Sequence, residues 1–235
     1  MYDLNIISEE YTNSLNENVK NFYVGNHILI YQKYFDFRIS YLSPAYHFNK
    51  LERVINEYFE KDLPDLMNKG VIDENDMSFS SLKMQLELNA LLIALKTALD
   101  RLVFFISKSH RSVMPSSTFG RISEEGKGKG MMSEVLKRKD TDELMKLIYE
   151  NYNDWISRAV KPRDTVIHYD NLFIDFRVNE NQKYSPVFSK PEKLIKGYEM
   201  SDLKEFVDKW MTFSNDFMNI YGKILLEKAT NYEEK

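Results

Sequence analysis

Apolar residues recur at helical spacing over the longest patterned stretch of the chain. From about Ser78 to Ser109, leucines and other apolar residues follow one another at intervals of three and four. This pattern predicts a single helix of roughly 45 Å at 1.5 Å per residue. A helix this long and this apolar is typical of the central element of a helical bundle.

Two further apolar stripes predict helices in the second half of the chain. One covers about 141–159, where Asp140 and Glu143 fit a capping pair at its start. The other runs from a capping Ser201 to about Lys228. Both stripes are amphipathic, so each helix is expected to bury one face against the central helix.

Residues Ser14 to Tyr41 are ambiguous. Their apolar positions fit a helical stripe, yet residues 35–41 alternate strictly between apolar and polar side chains. We favour a strand near 33–41 and keep a helix over 28–41 as the alternative. A similar alternating string at 174–179 could pair with it, and Ser43-Pro44 is expected to start the next helix.

Glycine and proline interrupt the pattern over residues 110–138. Gly126-Lys127-Gly128-Lys129-Gly130 resembles a phosphate-binding loop only superficially, because no strand precedes it and Met131 follows it. A flexible loop is the prediction there. Residues 172–190 are expected to form a hairpin or an irregular arm.

These elements together predict a mainly α fold. We expect a helical bundle of four to five helices with a small β hairpin or arm. Residues 1–70 are interpreted as an N-terminal helical and β elaboration of a bundle spanning 78–231, and the two parts are expected to form one compact domain.

Composition excludes several classes of function. The chain has no cysteine, which excludes a thiol nucleophile and a Cys-ligated zinc site. Its longest apolar stretch is interrupted by Lys96, Asp100 and Arg101, so we expect no membrane span and a cytoplasmic location. A net charge of -4 argues against a surface built for non-specific nucleic-acid binding, although residues 121–139 contain a local basic run.

Histidine is scarce, and only His168 lies in a polar, charged cluster. If a helix begins at Pro162, then Asp164 and His168 are four residues apart and share a face. The carboxylate can then hold one imidazole nitrogen and leave the other for proton transfer. Arg163 would lie about 140° around that helix from His168. The site is therefore expected to need an irregular first turn or a second copy of the chain.

Arg163, Asp164 and His168 resemble the signature of the HEPN superfamily (higher eukaryotes and prokaryotes nucleotide-binding domains). That signature is an Arg, a polar residue directly after it, and a His after four to six intervening residues. The resemblance covers roughly residues 78–231 and implies a dimeric helical bundle. Many members are metal-independent endoribonucleases of toxin–antitoxin, phage-defence and RNA-processing systems.

The resemblance implies that Arg163, Asp164 and His168 are catalytic. Substrate contacts are expected from neighbouring and basic residues: Thr165, Tyr169, Asp170, Lys127 and Lys129. A twofold dimer would supply one His as base and one as acid, with two Arg to stabilise the pentavalent phosphate. The expected partners are a second copy of the chain, RNA, and an antitoxin or other protein, with no cofactor and no metal. In one toxin subset a Tyr stands two residues after the His, whereas Asp170 occupies that place here.

Two other interpretations stay open from the sequence. The motif residues could form an ordinary surface ion network in a non-catalytic helical module that binds a protein or a nucleotide. A metal-dependent hydrolase is disfavoured, because no His-x-x-His or Glu-x-x-His pair of the type used in helical metal sites is present.

Overall fold

The apolar stripes form a bundle of long helices in a computed structural model of the chain. The structure describes residues 1–18, 28–69, 74–114, 117–160, 173–178, 184–190 and 195–233. Its α-helices are α1 (Leu4–Glu17), α2 (Ile28–Glu57), α3 (Leu63–Lys69), α4 (Glu74–Ser109), α5 (Met132–Arg138), α6 (Glu143–Asn151) and α7 (Met200–Glu233). The predicted mainly α class is therefore confirmed.

Two small antiparallel sheets complete the described fold. The strands are β1 (Arg121–Ile122), β2 (Gly128–Lys129), β3 (Phe173–Val178), β4 (Tyr184–Lys190) and β5 (Ile195–Glu199). β1 pairs with β2, and the second sheet has the order β3-β4-β5. The hairpin predicted over 172–190 is therefore confirmed as β3 and β4, to which β5 adds a third strand.

The strand predicted near 33–41 is wrong, because these residues lie inside α2. Tyr34, Phe37 and Tyr41 are buried at helical spacing, whereas Phe35 and Ile39 are exposed at 43% and 72%. The string at 174–179 consequently has no strand at 35–41 to pair with. Its strand, β3, pairs with β4 instead.

Pro44 lies within α2 and does not start a helix as predicted. Proline in a helix interior removes an N–H and costs about 3 kcal/mol relative to Ala. Buried residues on both sides of it offset that cost, since Tyr41, Ala45 and Phe48 are each at most 2% exposed. A π-helical turn over Tyr58–Asp62 then links α2 to α3.

The predicted central helix is confirmed as α4, which begins four residues earlier than expected. It packs antiparallel to α2. At one end of this pair the rings of Tyr34 and Phe105 have centroids 4.4 Å apart. At the other end Ser80 Oγ donates to Asp62 Oδ2 at 2.9 Å. Most of the inward face of α4 is apolar and forms the middle of the core.

The core joins the N-terminal helices to the C-terminal helix. The Tyr11 hydroxyl of α1 donates to the carbonyl of Tyr34 at 2.6 Å. The Trp210 indole of α7 donates to the carbonyl of Tyr41 at 3.1 Å. Tyr11, Tyr34, Tyr41 and Trp210 are all at most 2% exposed and belong to one continuous hydrophobic cluster.

The other two predicted helices are confirmed with shifted ends. The helix expected over 141–159 begins as α6 and continues through a π-helical turn over Tyr152–Ile156 to residue 160. Its N-cap is Asp142 rather than Asp140. The last helix, α7, begins at Met200 and reaches Glu233. Within the described residues, no helix combines the length and the apolar character that crossing a membrane requires.

Candidate functional site

The Arg163–His168 motif falls in residues 161–172, outside the described part of the chain. Thr165, Tyr169 and Asp170 belong to the same segment. The structure describes both ends from which this segment departs, namely Val160 and strand β3. We call the helical residues up to Val160 and strand β3, which hold the chain on either side of this segment, its two anchors.

The helical anchor before the motif is held by deep burial. Trp155, Ile156 and Ala159 are at most 1% exposed. The Trp155 ring packs edge-on against Phe213 of α7, and its indole N–H donates to Asn151 Oδ1 at 2.9 Å. Burying a side chain of this size contributes several kcal/mol, so the described helical residues before the motif are fixed to the bundle.

A ladder of charged side chains joins the same helix to α7. Lys209 Nζ lies 2.7 Å from Asp154 Oδ2 and 2.9 Å from Glu205 Oε1, and Arg158 reaches that Glu205 oxygen at 3.0 Å. The hydrogen bond from Lys209 lowers the pKa of Glu205, and bonds to Asp154 and Glu205 raise the pKa of Lys209. These groups are partly exposed, so the ladder fixes orientation more than it adds stability.

The sheet holds the chain on the other side of the motif. The Phe176 ring of β3 stacks on Tyr58 and meets Phe59 edge-on, with centroids 5.5 and 5.4 Å apart. The Tyr198 hydroxyl of β5 donates to the carbonyl of Arg158 at 3.2 Å. The anchors before and after residues 161–172 are thus both attached to the helical bundle.

Lys127 and Lys129, the predicted substrate contacts outside the motif, lie on the hairpin of β1 and β2. The predicted flexible loop over 126–130 therefore includes a strand. Gly126 has φ +77° and closes the turn by donating its N–H to the carbonyl of Ser123 at 2.9 Å. Gly130, at φ +61°, passes so close to Thr118 that an added Cβ would lie 2.6 Å from its carbonyl oxygen.

Sequence reasoning missed a buried polar connection between α4 and α6. His110, which directly follows α4, is 7% exposed, and its Nε2 donates to Asp142 Oδ2 at 2.6 Å. The other ring nitrogen lies 2.7 Å from Ser109 Oγ. Asp142 Oδ1 accepts the Met145 N–H at 3.0 Å and so caps α6. One carboxylate therefore joins the end of one helix to the start of another.

The only sequence signal for this connection is partial. His110 follows the last residue of α4, and the carboxyl end of a helix is a favourable place for a cation. Its partner is 32 residues away in the chain, and the adjacent Asp140 and Glu143 offered equally good caps. Periodicity does not choose among neighbouring carboxylates, so only the packed structure identifies Asp142.

Asp142 is expected to stabilise the fold in a pH-dependent way. Burial opposes its ionisation, but hydrogen bonds from His110 and the Met145 amide outweigh that effect and lower the pKa of Asp142. Its contribution is therefore present above its ordinary pKa of 3.8 and lost as the pH falls through the lower folded value. We expect Asp142→Ala to reduce the free energy of unfolding by about 2 kcal/mol at neutral pH in urea titrations.

The free energy of unfolding at acid pH separates the effect of the Asp142 charge from the effect of its packing. The difference between wild type and Asp142→Ala should shrink as the pH falls through the lowered pKa of folded Asp142, because the wild type then also loses the charge. Asp142→Asn keeps a good N-cap and loses the carboxylate charge, so it should retain part of the stability. A difference between wild type and Asp142→Ala that stays constant from neutral pH to acid would contradict this account of Asp142.

Among the described residues, the other histidines and acidic groups form no second site. His47 Nδ1 lies 3.2 Å from Glu87 Oε2 on the α2–α4 surface, and His27 lies outside the described residues. Across the described ranges, no group of three or more His, Asp or Glu is arranged to hold a metal ion. Comparison of the chain with protein-family models, curated proteins and solved structures finds no match.

Proposed function

We propose that this protein is a metal-independent endoribonuclease of the HEPN type that acts as a homodimer. The observation that carries the proposal is the spacing of Arg163, Asp164 and His168 in a mainly α chain. The firmly packed helical residues up to Val160 support it, because a catalytic segment needs rigid attachment. The attachment of β3 to the bundle provides the same support on the other side.

The proposed reaction is attack of an RNA 2′-hydroxyl on its own adjacent phosphate. His168 of one copy accepts the hydroxyl proton as the 2′-oxygen bonds to phosphorus. The bond from phosphorus to the 5′-oxygen breaks, and His168 of the second copy donates a proton to that leaving oxygen. Two copies of Arg163 stabilise the charge of the pentavalent phosphate. The products are a 2′,3′-cyclic phosphate and a 5′-hydroxyl.

Asp164 has a positioning role in this scheme. Four residues before His168, it can accept a hydrogen bond from one imidazole nitrogen and leave the other facing the substrate. Thr165, Tyr169 and Asp170 would line the same cleft and contact the RNA. A toxin or phage-defence effector is the biological setting that the family resemblance favours, with an antitoxin or other protein as its regulator.

The 2′-hydroxyl mechanism makes a direct prediction about substrate. RNA should be cleaved in EDTA, and a single 2′-deoxy substitution at a mapped cleavage site should abolish cleavage there while other sites persist. The reason is that the nucleophile is removed without changing the backbone charge. Gel analysis of end-labelled RNA and detection of the cyclic phosphate measure the result. Continued cleavage at the deoxy position, or a requirement for a divalent ion, would rule out this mechanism.

A specific observation favours a second candidate function, a non-catalytic interaction module. Leu82, Leu86 and Ile93 lie along one outer face of α4 and are exposed at 48%, 59% and 42%. Exposed apolar side chains in such a row are typical of protein contact surfaces. This alternative predicts intact RNA after prolonged incubation and loss of a protein complex in Leu86→Glu. Metal-independent cleavage by the purified chain would exclude it.

A further inference from the structure

The hairpin of β1 and β2 carries its cations on one face. Arg121 pairs directly with Lys129, and Ile122 pairs with Gly128. Ser123 and Lys127 continue this register, since the Ser123 N–H donates to the Lys127 carbonyl at 2.8 Å. Because side chains alternate along a strand, Arg121, Lys127 and Lys129 share a face and Ile122 occupies the other. Ile122 packs against the core, so the cationic face is the outer one.

Two cations opposite each other in a hairpin are unfavourable by themselves. Cross-strand neighbours have Cβ atoms about 5 Å apart, and like charges at that separation repel. Arg121 and Lys129 are both exposed, and Lys127 is 79% exposed beside an equally exposed Glu125. A surface ion pair of that kind contributes little, so Lys127 stays available.

The surrounding segment is strongly basic although the chain is acidic. Residues 108–139 contain eight Lys or Arg and three Asp or Glu, a charge of +5, whereas the remainder of the chain carries -9. Arg111 lies in the turn after α4, is exposed, and has no carboxylate within ion-pair distance among the described residues. Charge separated in this way within one chain indicates a surface for a polyanion.

The outer face is mounted on the rigid frame of the bundle. The Ile122 N–H donates to the Tyr152 hydroxyl at 2.7 Å, and the Phe119 N–H donates to Asp100 Oδ1 at 2.8 Å. Tyr152 belongs to the same helical run as Val160, about 12 Å further along at 1.5 Å per residue. The hairpin and the chain that enters the proposed catalytic segment are therefore carried by one helix.

We infer that the outer face of the hairpin, formed by Arg121, Lys127 and Lys129, binds the phosphate backbone of the RNA that the enzyme cleaves. This inference rests on the proposed function. Three cations on one face can contact neighbouring phosphates of a single strand, and phosphate contacts carry no sequence information, so we expect binding to be independent of sequence. The face holds the strand while the segment after Val160 acts on it.

The test measures RNA binding apart from cleavage. His168→Ala protein is titrated into a labelled single-stranded RNA of about 20 nucleotides, and anisotropy is recorded between about 50 and 200 mM salt. Adding Arg121→Gln, Lys127→Gln and Lys129→Gln should weaken binding about tenfold or more. It should also lower the slope of log affinity against log salt by about 2, because three single-strand phosphate contacts are lost.

A matched control removes the same charge elsewhere. Lys33→Gln, Lys146→Gln and Lys204→Gln change three exposed cations that lie outside the hairpin, each beside its own carboxylate. This control should bind RNA within about twofold of the parent. Equal losses in both triple variants, no loss in the hairpin variant, or displacement of RNA by polyglutamate at lower concentration than by unlabelled RNA would overturn the inference.

The two proposals fail in different ways. Tight, hairpin-dependent RNA binding without cleavage by the unmodified chain would contradict the proposed nuclease and leave only RNA binding by the hairpin. Cleavage that is unchanged by the hairpin substitutions would keep the nuclease and remove the inference. Circular dichroism of each triple variant checks the fold, which exposed Lys-to-Gln changes should leave intact.

Discussion

Replacing His168 with Ala is expected to lower the rate of metal-independent RNA cleavage by about 10²–10⁴-fold. The loss follows because, in the proposed scheme, His168 accepts the proton of the 2′-hydroxyl in one copy and donates a proton to the leaving oxygen in the other. Arg163→Ala should cost about 10²–10³-fold, since it removes charge stabilisation of the transition state and leaves proton transfer in place. Both rates are measured under single-turnover conditions with excess enzyme and EDTA.

A control histidine separates catalysis from general effects. His47→Ala removes a partly buried imidazole that contacts Glu87 on the bundle surface, and its cleavage rate should match that of the unmodified chain. Unfolding transitions of all three variants establish that they are folded. Normal cleavage by folded His168→Ala and Arg163→Ala proteins would contradict the assignment of this motif as the active site.

Mixing experiments test whether the cleft is shared. If each reaction uses His168 from both copies, a mixed dimer containing one His168→Ala chain is inactive. After co-refolding in different ratios, activity should then follow the square of the unmodified fraction. Sites contained within single chains would give a linear dependence, and that outcome would contradict the two-copy mechanism.

The long helices were predictable because their apolar periodicity is extensive. For α4, the apolar stripe continues from Leu82 to Ile106, about seven turns, and no alternative element satisfies it. The error at 33–41 has a physical reason. Phe35 and Ile39 are exposed apolar residues, and together with buried Phe37 and Tyr41 they imitate the alternation of a strand. Only packing against α1, α4 and α7 shows which apolar residues of α2 face the core.

The candidate site was predictable only as a local motif. Arg163, Asp164 and His168 are close in sequence, so their residue types and spacing indicate a type of reaction even when the fold is not known. The His110–Asp142 bond and the cationic face of the β1–β2 hairpin instead depend on contacts between distant elements. A basic run with interspersed glycines gives no register, and it was the pairing of Arg121 with Lys129 that placed the cations on one side.

Replacing Trp210 with Ala is expected to reduce the free energy of unfolding by about 3–5 kcal/mol. The side chain is fully buried, contacts the rings of Phe37 and Phe213, and donates to the carbonyl of Tyr41. Truncation leaves a large cavity between α2 and α7 and removes this hydrogen bond. Urea titrations followed by circular dichroism measure the loss, and the fluorescence of Trp155, the other tryptophan of the chain, reports on the helix before the motif.

The conservative variant identifies what Trp210 contributes. Trp210→Phe keeps most of the ring packing and loses the bond to Tyr41, so it should cost about half as much as Trp210→Ala. Circular dichroism and Trp155 fluorescence should show one coincident unfolding transition. The reason is that α2, which packs at the Trp210 position, belongs to the same core that holds Trp155 against Phe213. If Trp155 instead kept its native fluorescence while the helical signal fell, residues 28–57 would form a separately folding part. The anchor of the proposed catalytic segment would then be independent of them.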